Sequence, residues 1–131
     1  MPLACCCCSL ALCLRISDEN VYVGGMISPG YQIRYKSLKE FTGKLPLIKH
    51  DSIENSLGKD TQTSIQTGVF HGVFYEIQGQ IAHFREKYTD LTIILTGGDC
   101  MQLSKRLKNP IFANPNFLVK GLDIILEHNK K

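Results

Sequence analysis

The chain has 131 residues, 44% of them hydrophobic and 21% charged, and its net charge at neutral pH is +3. This length and composition fit one globular domain of ordinary size. The small net charge, with basic residues scattered rather than interleaved with aromatic ones, argues against nucleic acid as a partner. The lack of a run of about 18 apolar residues argues against a membrane span or a membrane partner.

The first fourteen residues differ in composition from the rest. They contain five of the six cysteines, and four of these, Cys5, Cys6, Cys7 and Cys8, are consecutive. The apolar run lacks the positive flank of a secretory signal, and adjacent cysteines match neither the spaced pairs of a zinc site nor a disulfide framework. We therefore predict that residues 1–14 are an atypical cysteine-rich block outside the native fold, and that the domain spans residues 15–131.

Two apolar segments around a polar turn predict a β-hairpin of residues 10–16 and 21–27. Gly24 and Gly25 interrupt its second strand, which indicates either a bulge or a close approach to the backbone.

A helix is predicted next, with Ser28 as its N-cap and Pro29 at its first position. We expect it to run to about Thr42. An extended segment at 45–48 and a polar connection at 50–59 follow it. The residues that this helix is expected to bury are Ile33, Leu38 and Phe41.

Residues 60–88 predict one long helix, because apolar residues recur at every fourth position and no proline interrupts them. Asp60 or Thr61 can cap its first turn, and Arg85 and Lys87 suit its last turn. The recurring residues are Ile65, Val69, Val73, Ile77 and Ile81, with Phe70, Phe74 and Phe84 beside them.

Two features of the long helix bear on function. Gly68 and Gly72 lie one turn apart, and each costs about 1 kcal/mol relative to alanine in a helix interior. They indicate close approach on that face, either by tight core packing or by a subunit or ligand. The start of the helix is polar, as is typical either of capping or of binding an anionic or hydroxylated ligand. The polar residues are Thr61, Thr63, Ser64 and Gln66.

The apolar run at 91–95 predicts a buried strand, followed by a turn at Thr96, Gly97, Gly98 and Asp99 and a helix that ends near Leu107. A glycine pair between a strand end and a helix start is a place where open α/β sheets bind phosphates or nucleosides, although such pairs also occur in ordinary turns.

A short strand at 111–113 and a last helix from Phe117 to about His128 complete the predicted elements. The residues that the last helix is expected to bury are Leu118, Leu122, Ile125 and Leu126.

Residues typical of catalysis are few. The four histidines, His50, His71, His83 and His128, form no metal-binding spacing. Cys100 at a helix start is either a thiol of lowered pKa or a small core residue. We assign no catalytic residue and no metal ligand to this chain.

Several blocks together resemble the type III pantothenate kinases. They match the C-terminal half of that family in order and spacing from about Ile16 to Glu127. The blocks are GGMISPG at 24–30, LP at 45–46, GKDT at 58–61, SIQTG at 64–68, TGGD at 96–99, NPN at 114–116 and LVKGL at 118–122.

The resemblance implies an actin-like ATPase fold of the hexokinase and Hsp70 type, with two related α/β domains and the active site between them. This chain matches the C-terminal domain only. Members of the family transfer the γ-phosphoryl group of ATP to pantothenate, which gives 4′-phosphopantothenate in the first step of coenzyme A biosynthesis. They use Mg²⁺ and a monovalent cation, K⁺ or NH₄⁺, and they are cytoplasmic homodimers.

The resemblance also implies roles for individual residues. Thr61 matches the pantothenate-binding threonine of the family. The turn of Thr96, Gly97 and Gly98 matches the nucleotide-binding side. A loop near the cleft is matched by Gly24, Gly25 and Gly30.

Three motifs of the family are absent from this sequence. They are the Asp-x-Gly-Asn-Thr phosphate loop, the Gly-x-Asp-Arg segment with the catalytic base, and the Asp-Ala-Gly-Thr motif that binds potassium and ATP. We therefore expect the chain to be an incomplete kinase fragment that is inactive alone. The alternative is a non-catalytic module derived from the kinase, for dimerisation, ligand binding or transcriptional accessory function.

Overall fold

The structure is a computed structural model and describes residues 2–6, 10–19, 21–49, 51, 53, 55–107 and 111–130, with side chains from Arg15 onwards. The chain is of the α/β class, as predicted. The elements in chain order are β1 (Pro2–Cys6), β2 (Leu10–Ile16), β3 (Tyr22–Pro29), α1 (Tyr31–Phe41), α2 (Thr61–Lys87), β4 (Thr92–Thr96), α3 (Cys100–Arg106), β5 (Ile111–Ala113) and α4 (Phe117–Asn129).

The strands form one mixed sheet in the order β3-β2-β1-β4-β5. Strand β2 is antiparallel to both β1 and β3, while β4 is parallel to β1 and to β5. Strands β1, β3, β4 and β5 therefore all end at the same edge of the sheet, which we call the carboxyl edge.

The predicted hairpin is confirmed. Strands β2 and β3 pair antiparallel from Leu10 opposite Pro29 to Ile16 opposite Tyr22. The register shifts between Arg15 and Ile16, so that one extra residue of β3 bulges next to Gly24. The φ of Gly24 is 150°, a conformation that favours glycine.

The cysteine-rich block contributes strands to this chain. Residues 2–6 form β1 in the middle of the sheet, and residues 10–14 form the first part of β2. Cys7 and Cys8 lie outside the described residues, as do Asn20 of the predicted turn and His50 of the predicted connection. The assignment of residues 1–14 to a block outside the native fold remains a prediction.

The long helix is confirmed almost to the residue. Asp60 is its N-cap and Tyr88 its C-cap. The five residues at every fourth position are all buried, and they pack with Phe70 of α2 and with Ile93 and Leu95 of β4 in one core. The spacing of four places these side chains along one face of the helix, and this face covers one side of the sheet.

The predicted start of α1 is wrong, and its predicted buried face is right only for Leu38, which is partly buried against the core. Gly30 is the N-cap, and Ser28 and Pro29 end strand β3. Ile33 and Phe41 are 37% and 85% exposed. The buried residues are Tyr31 and Tyr35, one turn apart. Tyr31 stacks on Phe70 of α2, and this contact between rings sets the face that α1 turns inwards.

The predicted burial of α4 is also wrong. The helix is present within one residue of its expected bounds, but it contains no buried residue. The four side chains expected in the core are between 55% and 65% exposed. Periodicity identified an apolar face correctly, but no described element packs against that face. No described helix is long and apolar enough to cross a membrane.

Candidate functional site

The direction of α2 relative to the sheet follows from two contacts. The guanidinium of Arg15, near the β2–β3 turn, lies 3.7 Å from the ring centroid of Tyr88 at the end of α2. Ser28, near the end of β3, donates a hydrogen bond to Glu76. Glu76 is therefore level with the carboxyl edge. The helix continues beyond that edge to Thr61, about 22 Å further along its axis at 1.5 Å per residue.

The first turn of α2 is capped by two residues. The Asp60 carboxylate accepts a hydrogen bond of 2.8 Å from the Thr63 amide, and the Thr63 hydroxyl accepts one of 3.2 Å from the Asp60 amide. The bond from the Thr63 amide, and then that from its hydroxyl, lower the pKa of the Asp60 carboxyl. Thr61 is exposed and takes no part in this capping box. Helix capping therefore explains why residue 63 is a polar threonine, but it does not explain the threonine at position 61.

A small-residue ridge, formed by Ser64 and Gly68, separates two grooves on α2. The groove between α1 and α2 has a volume of about 520 Å³ and is also lined by Arg34 and Leu38. The groove on the other side, about 280 Å³, is also lined by His71 and by the residues around Gly58. Gly68 is exposed, and a Cβ there would meet nothing within 4 Å. The core-packing explanation is therefore wrong for Gly68.

The turn after β4 lies at the carboxyl edge. Thr96 is 7% exposed, and its hydroxyl has no hydrogen-bond partner among the described residues. Gly97 has a φ of 94°, which favours glycine at this position. Its carbonyl accepts a hydrogen bond of 3.2 Å from the amide of Cys100. The side chain of Cys100 is completely buried, as expected of a small core residue.

The remaining expected site residues fall in two places. Gly30 follows β3 at the carboxyl edge, where it is buried as the N-cap of α1. Gly24 and Gly25 lie inside β3, opposite Arg15 and Leu14 of β2. Gly30 and the turn after β4 thus lie at the same edge of the sheet, with β2 and β1 between them, while the glycine pair of β3 lies within the sheet.

Sequence reasoning missed a polar cluster that ties β3 and α1 to α2. The Arg34 guanidinium pairs with the Glu76 carboxylate and donates a hydrogen bond of 2.7 Å to the carbonyl of Pro29. Ser28 donates to the other carboxylate oxygen of Glu76. A Cβ on Gly72 would lie 3.2 Å from Nη1 of Arg34. One signal was available, since Glu76 is the only carboxylate of the sequence between Asp60 and Glu86.

The histidines that the structure describes have separate surroundings. The Nε2 atom of His71 lies 3.2 Å from the carbonyl oxygen of Asn55, and its ring stacks on Tyr75. His83 is exposed. Within the described ranges, no three or more His, Cys, Asp or Glu side chains form a group that could hold a metal ion.

The fold is similar to a solved structure. The crystal structure of a Campylobacter jejuni protein assigned to the Baf family of transcriptional activators matches it with a TM-score of 0.58. The match covers 98% of this chain and 58% of that chain, at 19% sequence identity. At this identity the similarity establishes a shared fold only.

The sequence matches one family over most of its length. The family model for type III pantothenate kinase matches residues 10–83. A type III pantothenate kinase of Christiangramia forsetii is 48% identical over 114 residues, which are 87% of this chain and 47% of that protein. One of Bacteroides fragilis is 46% identical, with the same two coverages. The chain thus spans about half the length of the curated relatives it matches, and it belongs to the type III pantothenate kinase family.

Proposed function

We propose that the complete protein is an ATP-dependent pantothenate kinase and that this chain forms its C-terminal half. The enzyme transfers the γ-phosphoryl group of ATP to the hydroxyl of pantothenate and gives 4′-phosphopantothenate, the first step of coenzyme A biosynthesis. The observation that carries this proposal is the 48% identity to a type III pantothenate kinase over 87% of the chain.

Pantothenate binding is assigned to Thr61. Its side chain is exposed in the first turn of a 27-residue helix, outside the capping box that Asp60 and Thr63 form. The positive end of a helix favours a carboxylate such as that of pantothenate, and a threonine hydroxyl can bond either a carboxylate or a hydroxyl. These features support a substrate role for Thr61.

Nucleotide binding is assigned to the turn of Thr96, Gly97 and Gly98. The hydroxyl of Thr96, which has no hydrogen-bond partner among the described residues, supports this assignment together with the left-handed backbone of Gly97. They offer a hydrogen-bonding group and close access to the main chain. Gly30 is assigned to the cleft loop, because it lies at the same edge of the sheet, as the N-cap of α1. The position of Gly24 and Gly25 inside β3 supports a role in the bulge instead of the cleft.

The cations of the reaction are assigned to other residues. Mg²⁺ and a monovalent cation, K⁺ or NH₄⁺, supply charge stabilisation to the transferred phosphoryl group when bound. The described side chains do not fit a Mg²⁺ site, because they include no group of three or more His, Cys, Asp or Glu residues. We therefore place the Mg²⁺ ligands and the catalytic base in the half of the enzyme that this chain does not cover. The monovalent cation is assigned to no residue of this chain.

The assembly is proposed from the family together with two features of the chain. The mixed α/β sheet supports an actin-like ATPase fold of hexokinase and Hsp70 type, with this domain as its second half. The exposed small-residue ridge of α2 supports a homodimer, since small residues allow two helices to approach closely. A cytoplasmic location is proposed from the family alone. The match to the Campylobacter protein concerns the fold, so it does not favour the transcriptional alternative.

A chimera tests the proposed function. The N-terminal half of the Christiangramia forsetii kinase, including its own counterparts of β1 and of β2 up to Leu14, is joined to residues 15–131 of this chain. ATP-dependent formation of phosphopantothenate is then measured. We expect activity from the chimera and none from the chain alone. A folded chimera without activity would contradict the proposal.

Thr61→Val in this chimera tests the substrate assignment. We expect the KM for pantothenate to rise about tenfold or more, because a hydroxyl that bonds substrate is lost, while the KM for ATP stays unchanged. Thr89→Val is the matched control, since Thr89 is exposed beyond the other end of α2. An unaltered KM for pantothenate would remove Thr61 from the site.

A further inference from the structure

Three side chains form a closed set of polar contacts at the corner between β3 and α1. Ser28 donates a hydrogen bond to Oε1 of Glu76, and Nη2 of Arg34 pairs with Oε2 of the same carboxylate. Nε of Arg34 donates a hydrogen bond of 2.7 Å to the carbonyl of Pro29, the residue next to Ser28. We call Ser28, Arg34 and Glu76 the corner ring, because their contacts lead from β3 through α2 and α1 back to β3.

The corner ring specifies a position more than it adds stability. Arg34 and Glu76 are 24% and 26% exposed, and an ion pair as accessible as this contributes little to the free energy of unfolding. Its geometry is demanding, since both oxygens of one carboxylate and two nitrogens of one guanidinium each meet a separate partner. Pairing of Pro29 with Leu10 holds the corner within the sheet, and the corner ring holds it against α2.

Helix α2 leaves space for this arrangement at Gly72. A Cβ there would lie 3.2 Å from Nη1 of Arg34, which is closer than side chains normally pack. Glycine is unfavourable in a helix interior, so its presence one turn before Glu76 is explained by the room that the guanidinium needs. Gly72 is thus a second observation, independent of the hydrogen bonds, that the position of Arg34 is specified.

The corner lies at the edge of the sheet to which nucleotide binding is assigned. Gly30, the residue after Pro29, is the N-cap of α1, an 11-residue helix whose positive end favours phosphate. The corner and the turn after β4 are three strand spacings apart, which is about 14 Å. A triphosphate whose nucleoside lies at that turn extends over such a distance towards the corner. Thr61, by contrast, lies about 22 Å from Glu76 along α2.

We propose that Glu76 is a positioning residue for ATP. Through Ser28 and Arg34 it holds the corner of Pro29 and Gly30 at the place where the phosphates of the nucleotide bind. A misplacement of about 1 Å caused by a residue far from the reaction is enough to impair an enzyme strongly. This inference rests on the proposed function, and it adds a residue that belongs to neither of the two assigned binding sites.

Steady-state kinetics of the chimera test the proposal. Glu76→Gln keeps the shape of the side chain and removes its charge, so we expect the KM for ATP to rise about threefold or more, while the KM for pantothenate stays unchanged. A loss of folded protein would lower the apparent kcat and leave both KM values as they are, so the KM separates positioning from stability. Glu86→Gln is the matched control, since Glu86 is an exposed carboxylate on the same helix, and it should change neither KM.

Ser28 and Arg34 allow a test by conservative changes. Ser28→Ala removes the donor to Glu76 and should raise the KM for ATP, whereas Ser28→Thr keeps a hydroxyl and should leave that KM near its original value. Arg34→Lys keeps the positive charge but replaces two separate nitrogens by one ammonium, so it should raise the KM for ATP although an ion pair persists. Equal KM values for ATP in Ser28→Ala and Ser28→Thr, or a rise in the KM for pantothenate instead, overturn the proposal.

Kinase activity separates this proposal from the proposed function. An active chimera in which Glu76→Gln leaves the KM for ATP unchanged contradicts the positioning role and leaves the function standing. An inactive chimera contradicts the function, and the Kd for ATP, measured by titration calorimetry, then replaces the KM. A higher Kd in Glu76→Gln than in Glu86→Gln supports the positioning role, and equal values, or no binding of ATP at all, overturn it.

Discussion

Replacing Gly68 by alanine should stabilise the chain. Gly68 is an exposed position in the interior of α2, and a Cβ there would meet nothing within 4 Å. Alanine restricts the unfolded chain more than glycine does and is the better helix former, so the free energy of unfolding should rise by about 1 kcal/mol. For a domain of this size that corresponds to roughly 4 °C in melting temperature.

The expected gain at Gly68 can be compared with the gains at two other glycines of the same helix. Gly79 is also exposed with open space around its Cβ position, so Gly79→Ala should gain about as much. At Gly72 the new methyl would lie 3.2 Å from Nη1 of Arg34. The guanidinium would have to move by a few tenths of an ångström against its bond to Glu76, so Gly72→Ala should gain clearly less.

Urea unfolding of the three variants measures these differences in the free energy of unfolding. The slope of this free energy with urea concentration should be the same in all variants, since only stability is expected to change. A loss of stability in Gly68→Ala would refute the conclusion that its face is open. An equal gain at Gly72 and Gly68 would refute the role given to Arg34. If the small-residue ridge holds the proposed homodimer, Gly68→Ala should also weaken self-association, which sedimentation measures, whereas Gly79→Ala should not.

Three further predictions concern single side chains. Glu76→Gln removes the ion pair with Arg34, whose side chains are 24% and 26% exposed, so solvent screening limits the loss in the free energy of unfolding to about 1 kcal/mol. High salt should reduce this difference in urea unfolding. Phe70→Ala should cost about 3–5 kcal/mol at a ring only 1% exposed, whereas Phe41→Ala, at 85% exposure, should change the melting temperature little. Burial, and then the charge of Asp51, raise the pKa of Tyr35 from 10.0 to about 12. The stability that the neutral phenol provides is therefore complete below pH 10 and is lost as the pH rises through 12. Tyr35→Phe should move alkaline unfolding, followed by circular dichroism, to higher pH.

Elements whose signals are local were predictable from the sequence. The apolar spacing of α2, its Asp60 cap and the glycine turn after β4 each depend on residues within a few positions of one another. The start of α1 was not predictable in this way. Ser28 and Pro29 suit a helix start locally, but the pairing of Pro29 with Leu10 and the bond from Ser28 to Glu76 extend β3 instead.

The parts of the candidate site that could not be predicted likewise depend on residues that are distant in the sequence. Arg34 and Glu76 are 42 positions apart. The isolation of Glu76 among uncharged neighbours marks that carboxylate, but it does not indicate Arg34 as its partner. The apolar side of α4 was predictable from periodicity, but periodicity does not specify what covers an apolar side. The residue assignments at Thr61 and at the turn after β4 come from resemblance to a family, which locates a role without giving its geometry.

The position of β1 has a consequence for how the chain folds. Its five residues join the β2–β3 hairpin to the β4–β5 pair, and Pro2 pairs with Thr92, ninety positions later. At about 5–20 residues per second, one edge of β1 stays open for roughly 5–18 s during synthesis before β4 emerges. The hairpin and α2 can form during this interval, while closure of the sheet waits for the long-range pairing and is therefore expected to limit the folding rate. Until then the open edge of β1 is available to another nascent chain.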